Sequence, residues 1–183
     1  IKVNNMTLRF ILFFFILFTI DGLSQGLMED KLLPTRQDSL RGSITSEREW
    51  WDLTYYHLDI KVEPDNKFIS GSNTVGYRVL KSNKTMQIDL QEPMKITSVL
   101  SDGKSLKFNR EGNAYFIELK SKQKKNDVNY LKIFYEGHPK EAIRAPWDGG
   151  LSWTKDDNNN HFIATSCQGL GASVWWPNKD HMY

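Results

Sequence analysis

The side chains able to do chemistry are few, and their spacing excludes more than it permits. The four histidines stand at 57, 138, 161 and 181. No two are four residues apart, so the helical zinc motif H-E-x-x-H is absent. One cysteine, Cys167, excludes a disulfide framework and a multi-cysteine zinc site. No G-x-S-x-G elbow raises one serine above the others as a nucleophile. Asp156-Asp-Asn-Asn-Asn160 lacks the interior glycine and distal glutamate of a helical calcium loop, and reads as a polar hairpin tip. Lys120-Ser-Lys-Gln-Lys-Lys125 has no interleaved aromatics and reads as a solvated hairpin loop, not as a nucleic-acid surface. His57 sits on the polar face of an alternating run, as a surface or pocket-edge imidazole.

Two features retain a chemical reading. In Thr165-Ser-Cys-Gln-Gly-Leu-Gly171, small residues flank Gln168. Gly169 and Gly171 would let backbone approach a ligand closely, and the amide supplies two donors and an acceptor for a small polar group. A buried turn with a self-satisfied Gln168 fits the same residues. The second feature is aromatic: Trp50-Trp51, Tyr55-Tyr56, Trp147, Trp153 and Trp175-Trp176 cluster at segment edges. They suit either packing of sheet ends or a stacking platform for sugars.

The elements that must position these residues alternate with a period of two. Tyr56, Leu58, Ile60 and Val62 make one strand, and Val75, Tyr77 and Val79 a second. Met86, Ile88 and Leu90, then 96–100, then Tyr115, Ile117 and Leu119, then Leu131, Ile133 and Tyr135 follow, with turns at Pro64-Asp65-Asn66, Asp102-Gly103 and Glu111-Gly112-Asn113. Residues 161–165 and 173–176 are predicted as two more strands. No apolar stripe of helical period persists for 12 residues. The expected fold class is all-β, an antiparallel sandwich or barrel.

At the other end of the chain, Lys2 and Arg9 precede an uncharged apolar run over 10–20, too short to cross a bilayer as a helix. A short buried helix or an uncleaved membrane anchor would fit the same run, but Gly22 and Ser24 supply small residues after it, so residues 1–24 are expected to be an export signal cleaved before Gln25. That leaves no stable membrane span after cleavage and places the protein in the periplasm or outside the cell. Residues 25–49 then form a polar N-terminal arm, in which Ser46-x-x-Glu49 matches a capping box able to open one short turn of helix. Residues 50–183 form the domain. A net charge of +2, from 24 basic and 22 acidic residues among 183, offers no global field to recruit nucleic acid.

The segments from Trp50 onward, in their order, resemble the N-terminal domain of the zinc aminopeptidase N family, especially its exported bacterial members. Tyr56-His-Leu-Asp-Ile60 is similar to "Y-x-L-x-I", and Leu131-Lys-Ile-Phe-Tyr-Glu-Gly137 to "L-x-I-x-Y-x-G". Gly149-Gly-Leu-Ser-Trp153 stands where members have "G-L-Y-R-S". Thr165-Ser-Cys-Gln168, running on to Trp176-Pro177-x-x-Asp180, resembles "T-Q-x-[EQ]…F-P-C-x-D". Ser166 and Asn178 depart from that pattern. The resemblance implies a saddle-like β-sandwich ahead of a catalytic domain that carries the zinc ligands and general base. It implies no catalytic and no metal residue in this chain, zinc in the full-length enzyme, and peptide N-termini as partners together with the chain's own catalytic domain. The polar residue that holds the substrate's α-amine falls on Gln168. This reading expects the chain to be an amino-terminal fragment, inactive alone. A secreted β-sandwich module that binds a glycan or protein without catalysis is the alternative.

Overall fold

The computed structural model of the chain describes residues 33–145 and 147–181. The expected export signal at 1–24, and the arm up to residue 32, lie outside them. One compact unit begins at Arg36. It consists of a short helix, α1 (Arg36–Gly42), and ten strands: β1 (Trp51–Glu63), β2 (Phe68–Val79), β3 (Thr85–Asp89), β4 (Lys95–Ser101), β5 (Lys104–Ser105), β6 (Lys107–Glu111), β7 (Ala114–Glu118), β8 (Val128–Gly137), β9 (Gly150–Lys155) and β10 (His161–Ser166). The strands form three antiparallel sheets in the orders β1-β2-β8-β4-β5, β3-β7-β6 and β10-β9. The all-β antiparallel class expected from the alternation is the one observed.

Period-two patterning places the core. Val75, Tyr77 and Val79 of β2, Leu131, Ile133 and Tyr135 of β8, and Ile96 and Val99 of β4 bury one face of the five-stranded sheet. They meet Met86, Ile88, Tyr115 and Ile117 of the three-stranded sheet, and Leu151 adds the small sheet to the same cluster. The tyrosine at 115 also spans the sheets, accepting the Ile96 backbone N–H on its hydroxyl at 3.2 Å. Asp102 and Gly103 take φ of 48° and 71°. Two positive-φ residues suit the tight turn that Asp-Gly signals, and they join β4 to β5.

Four features differ from the sequence expectation. Residues 173–176 are not a strand: a 3-10 turn over Ala172–Val174 enters the segment, and the Ser173 carbonyl accepts the N–H of Gln91, two residues beyond β3, at 2.8 Å. β6 and β9 form where alternation is weak, and α1 forms in the segment read as a polar arm. The turn at Ser46-x-x-Glu49 does form, but from Thr45, whose carbonyl accepts the N–H groups of Arg48 and Glu49 at 3.0 Å each. Glu49 turns outward to Lys81, 3.2 Å away.

Strand β3 explains why the arm is part of the fold. It is the edge of its sheet, yet Gln87 and Asp89 on its polar face are buried. An open edge carries unpaired backbone groups that need covering. Glu47 carbonyl accepts Gln87 N–H at 3.1 Å, and Asp89 exchanges two backbone hydrogen bonds with Asn178 at 2.8 and 3.1 Å. The arm and the C-terminal segment thus close one edge together. Behind the edge, Arg48 Nη2 lies 2.6 Å from Asp89 Oδ2, with the arginine side chain wholly buried. Arg48 Nη1 also donates to the carbonyls of Arg41 and Ser43 at 3.2 and 2.9 Å. Burial pushes the Asp89 carboxyl up, and Arg48, Gln87 and the Asp180 amide draw it back down.

Removing one partner of a buried pair strands the other charge, at a cost of about 3–5 kcal/mol. Arg48→Ala and Asp89→Ala should each destabilise the domain by about that much, and the double variant by clearly less than their sum. Urea melts of the four proteins measure this coupling; additive losses would show the pair to be energetically independent. A pH dependence follows from Tyr56, Tyr77 and Tyr135, whose phenols are all pushed up from their ordinary value, in each case chiefly by burial. The folded chain keeps these protons while the unfolded chain releases them above about pH 10, so stability falls as pH rises past that value. Absorbance at 295 nm should show at least three of the seven tyrosines ionising only with alkaline unfolding.

Candidate functional site

The last described strand, β10, ends at Ser166, and the chain then turns through Cys167–Leu170. Leu170 and Gly171 N–H groups return to the Cys167 carbonyl at 3.2 and 2.9 Å. Gly169 and Gly171 both have positive φ, 71° and 77°. At Gly171 a β-carbon would also strike the Asp180 carboxylate, so both backbone conformation and close approach require glycine there. Gln168 lies on the exposed tip of this turn, and no hydrogen bond to its side-chain amide occurs among the described residues. The self-satisfied, buried arrangement is therefore not the one formed. Cys167 is a free, half-buried thiol.

The turn is held from two sides. Arg41, at the end of α1, donates from Nη2 to the Gly169 carbonyl. Gln91 Nε2 donates to the Leu170 carbonyl and, at 2.9 Å, to Ser173 Oγ. Ser173 Oγ in turn donates to Asp180 Oδ2 at 2.5 Å, and Asp180 N–H donates to Asp89 Oδ2 at 3.0 Å. Each link is polar, and the chain ends on the buried carboxylate that Arg48 neutralises. The geometry leaves one amide free while its backbone is fixed.

Below the turn lies a cleft of about 450 Å³ lined by Arg41, Tyr56, Ala172, Trp176, Lys179 and Asp180, among others. Lys179 N–H donates to the Tyr56 hydroxyl at 2.7 Å, and its ammonium donates to the Trp51 carbonyl at 2.7 Å while lying 4.5 Å from that ring's centroid. Burial lowers the Lys179 pKa, a nearby Asp52 opposes this, and Arg48 adds to the lowering. Asn73 Nδ2 donates to the Pro177 carbonyl at 2.8 Å. The segment 177–180 is thus anchored in the sandwich, and Asn178 is buried, its Nδ2 donating to the Trp176 carbonyl at 2.9 Å.

The other candidates separate by burial. Trp50 and Trp51 are core residues packed edge-on against Tyr77, their indole N–H groups donating to the carbonyls of Thr85 and Glu47. Trp153, Trp175 and Trp176 pack against the core, and Trp147 alone is mainly exposed, at 74%. The tryptophans therefore make no shared platform. His57 is exposed, with Nδ1 3.3 Å from the Tyr55 hydroxyl. Asp156–Asn160 is the β9–β10 hairpin tip, the Asp156 carboxylate accepting the N–H groups of Asn158 and Asn160. Among the described residues no group of three His, Cys, Asp or Glu side chains could hold a metal, and no helix is long and apolar enough to cross a membrane.

Sequence reasoning singled out Gln168, Gly169 and Gly171 as candidates but not Arg41 and Gln91, whose side chains hold the turn that carries them. Their contacts span 128 and 79 residues, and no local pattern marks either.

Residues 53–181 match the family model of the peptidase M1 N-terminal domain. No curated protein matches the chain in sequence. Among solved structures, native leukotriene A4 hydrolase from Saccharomyces cerevisiae superimposes with a TM-score of 0.60 at 16% identity, over 84% of this chain and 24% of its own. An M1 zinc metallopeptidase from Deinococcus radiodurans does so with a TM-score of 0.55 at 16% identity, over 74% and 30%. A variant of the Deinococcus peptidase bound to a Tyr-Ser-Ala substrate gives 0.57 at 14%, over 77% and 32%. The chain thus spans about a quarter to a third of the length of these proteins.

If Arg41 holds the turn, Arg41→Ala should speed hydrogen exchange of the Leu170 and Gly171 amides at least tenfold. The melting midpoint should stay nearly unchanged, because the Arg41 side chain is exposed. Unaltered exchange at both amides would show that Gln91 and the glycines suffice.

Proposed function

The chain belongs to the peptidase M1 N-terminal domain family, and we propose that it serves a zinc aminopeptidase by holding the substrate's free α-amino group on Gln168. The observation that carries this reading is an exposed side-chain amide without an internal partner, on a turn whose backbone is fastened by Arg41, Gln91 and two glycines. An ammonium group donates three hydrogen bonds, and an amide oxygen accepts without introducing charge. A fixed turn lets that oxygen orient the peptide at little entropic cost on binding. Among the described residues no cluster of His, Cys, Asp or Glu fits a zinc site. The metal and the water it activates belong, in this reading, to a following domain. The role of this domain, in this reading, is binding and orientation.

Ser166, where the family pattern has glutamine, removes one of two paired amides. Gln168 then bears the neutral part of amine recognition alone, and a carboxylate from the following domain supplies the charge.

The test uses the polypeptide encoded through and beyond Tyr183, assayed on aminoacyl nitroanilides. Gln168→Ala should lower kcat/KM at least tenfold, mainly through KM, the size expected for one hydrogen bond to a charged group. Unchanged kcat/KM would remove Gln168 from amine binding, and a downstream frame without H-E-x-x-H would remove the aminopeptidase reading itself.

A further inference from the structure

Three loops meet at one end of the sandwich. Leu119 N–H donates to the Lys84 carbonyl at 2.8 Å, Gln123 N–H to the Asn83 carbonyl at 2.9 Å, and Asn126 N–H to the Val79 carbonyl at 2.8 Å. The segment between β7 and β8 is thereby fastened to the one between β2 and β3. The Gln123 side chain turns inward as well, its oxygen accepting from Asn129 Nδ2 at 2.8 Å and the Tyr77 hydroxyl at 3.3 Å. With the β4–β5 turn these loops enclose an open groove of about 460 Å³ lined by Lys104, Lys120, Lys122 and Lys124. Lys84 and Lys125 are exposed on the same loops.

None of these six ammonium groups has a hydrogen-bond or carboxylate partner among the described residues. Elsewhere Lys61, Lys67, Lys81 and Lys95 each pair with a glutamate at 2.6–3.2 Å. Only Asp102 and Asp127 oppose the six from the groove lining. A chain of net charge +2 therefore gathers a positive excess at one pole, on loops whose backbone is already fastened.

We propose that this pole is an electrostatic docking surface for the phosphate headgroups of an anionic bilayer. Lysines are compact, hydrated point charges on flexible stems, suited to a diffuse layer of phosphates. The bidentate fork of arginine, which favours a single tightly held phosphate, is absent from the groove lining. The run 120–125 contains no aromatic, and Tyr130 is the one ring lining the groove, short of a row on which successive bases could stack. Lysines drawn from three loops at one end can meet a plane together, and each contributes about fivefold to partitioning onto an anionic leaflet.

The experiment is sedimentation of the full chain with phosphatidylcholine vesicles, with and without about 30% phosphatidylglycerol. Binding should require the anionic lipid and disappear in about 0.5 M NaCl. Replacing Lys104, Lys120, Lys122 and Lys124 by Glu should weaken it at least a hundredfold. The same charge change at Lys67, Lys95, Lys140 and Lys155 should weaken it far less, and circular dichroism would verify that both variants fold. Equal losses in the two variants, binding indifferent to phosphatidylglycerol, or retention by duplex DNA without retention by vesicles would each overturn the assignment. None of these outcomes depends on Gln168.

Discussion

A buried ion pair sets the terms for the rest of this domain. Arg48 and Asp89 sit 2.6 Å apart, the arginine wholly buried and the aspartate nearly so, at the edge of the three-stranded sheet. Desolvating two charges is costly, and such a pair persists only where further hydrogen bonds complete it. Here the hydrogen bonds around the pair come from three separate parts of the chain, while Arg48 Nε is buried without a partner among the described residues. The arm supplies its carbonyls at Arg41 and Ser43, β3 supplies Gln87, and the C-terminal segment supplies the Asp180 amide. The pair therefore does more than neutralise itself: it ties the arm and the C-terminal segment to the β3 edge that both of them cover.

The candidate site inherits its order from that constraint. Asp180 is fixed by its amide on Asp89, and its carboxylate fixes Ser173. Ser173 and the Leu170 carbonyl share Gln91. Arg41 reaches the Gly169 carbonyl from a helix whose last turn is held by Arg48. A mobile surface turn would lose conformational freedom on capturing a ligand, whereas this turn has already lost it on folding. That is the physical sense in which the sandwich prepares a side chain it does not touch.

The rest of the surface shows a division of labour by charge. Most of the large aromatics are consumed in packing, so the ring-rich sequence does not produce a ring-rich exterior. Of the lysines, by contrast, Lys61 and Lys95 on strands pair with glutamates, whereas the six at one pole have no carboxylate partner among the described residues. Fold and family account for the first pattern, since a sandwich needs both faces of its core filled. Packing does not require the second, and so it invites a reading through a partner.

By itself the sequence determined the fold class, most of the strands and the candidate residue. Alternation at Tyr56–Val62, Val75–Val79 and Leu131–Tyr135 fixes which face is buried, because side chains on a strand alternate by geometry. Asp102-Gly103 is legible because few residue pairs accept two positive φ values. The motif order from Trp50 to Asp180 pointed to the family, and Gln168 stood out between small residues. Strands β6 and β9 were not legible: Phe108 is the lone apolar residue in one, and the other opens on glycine, so neither sustains a period. Their strandhood comes from pairing with β7 and β10. The same holds for α1, too short to show a helical stripe, and for 173–176, where the Ser173 carbonyl takes the N–H of Gln91 beyond β3. Only tertiary structure decided that Gln87 and Asp89 are buried, that Arg48 answers Asp89, and that Arg41 and Gln91 hold the turn. Those contacts join residues 41 to 128 positions apart, and a contact of that span leaves no period, spacing or composition for a local pattern to carry.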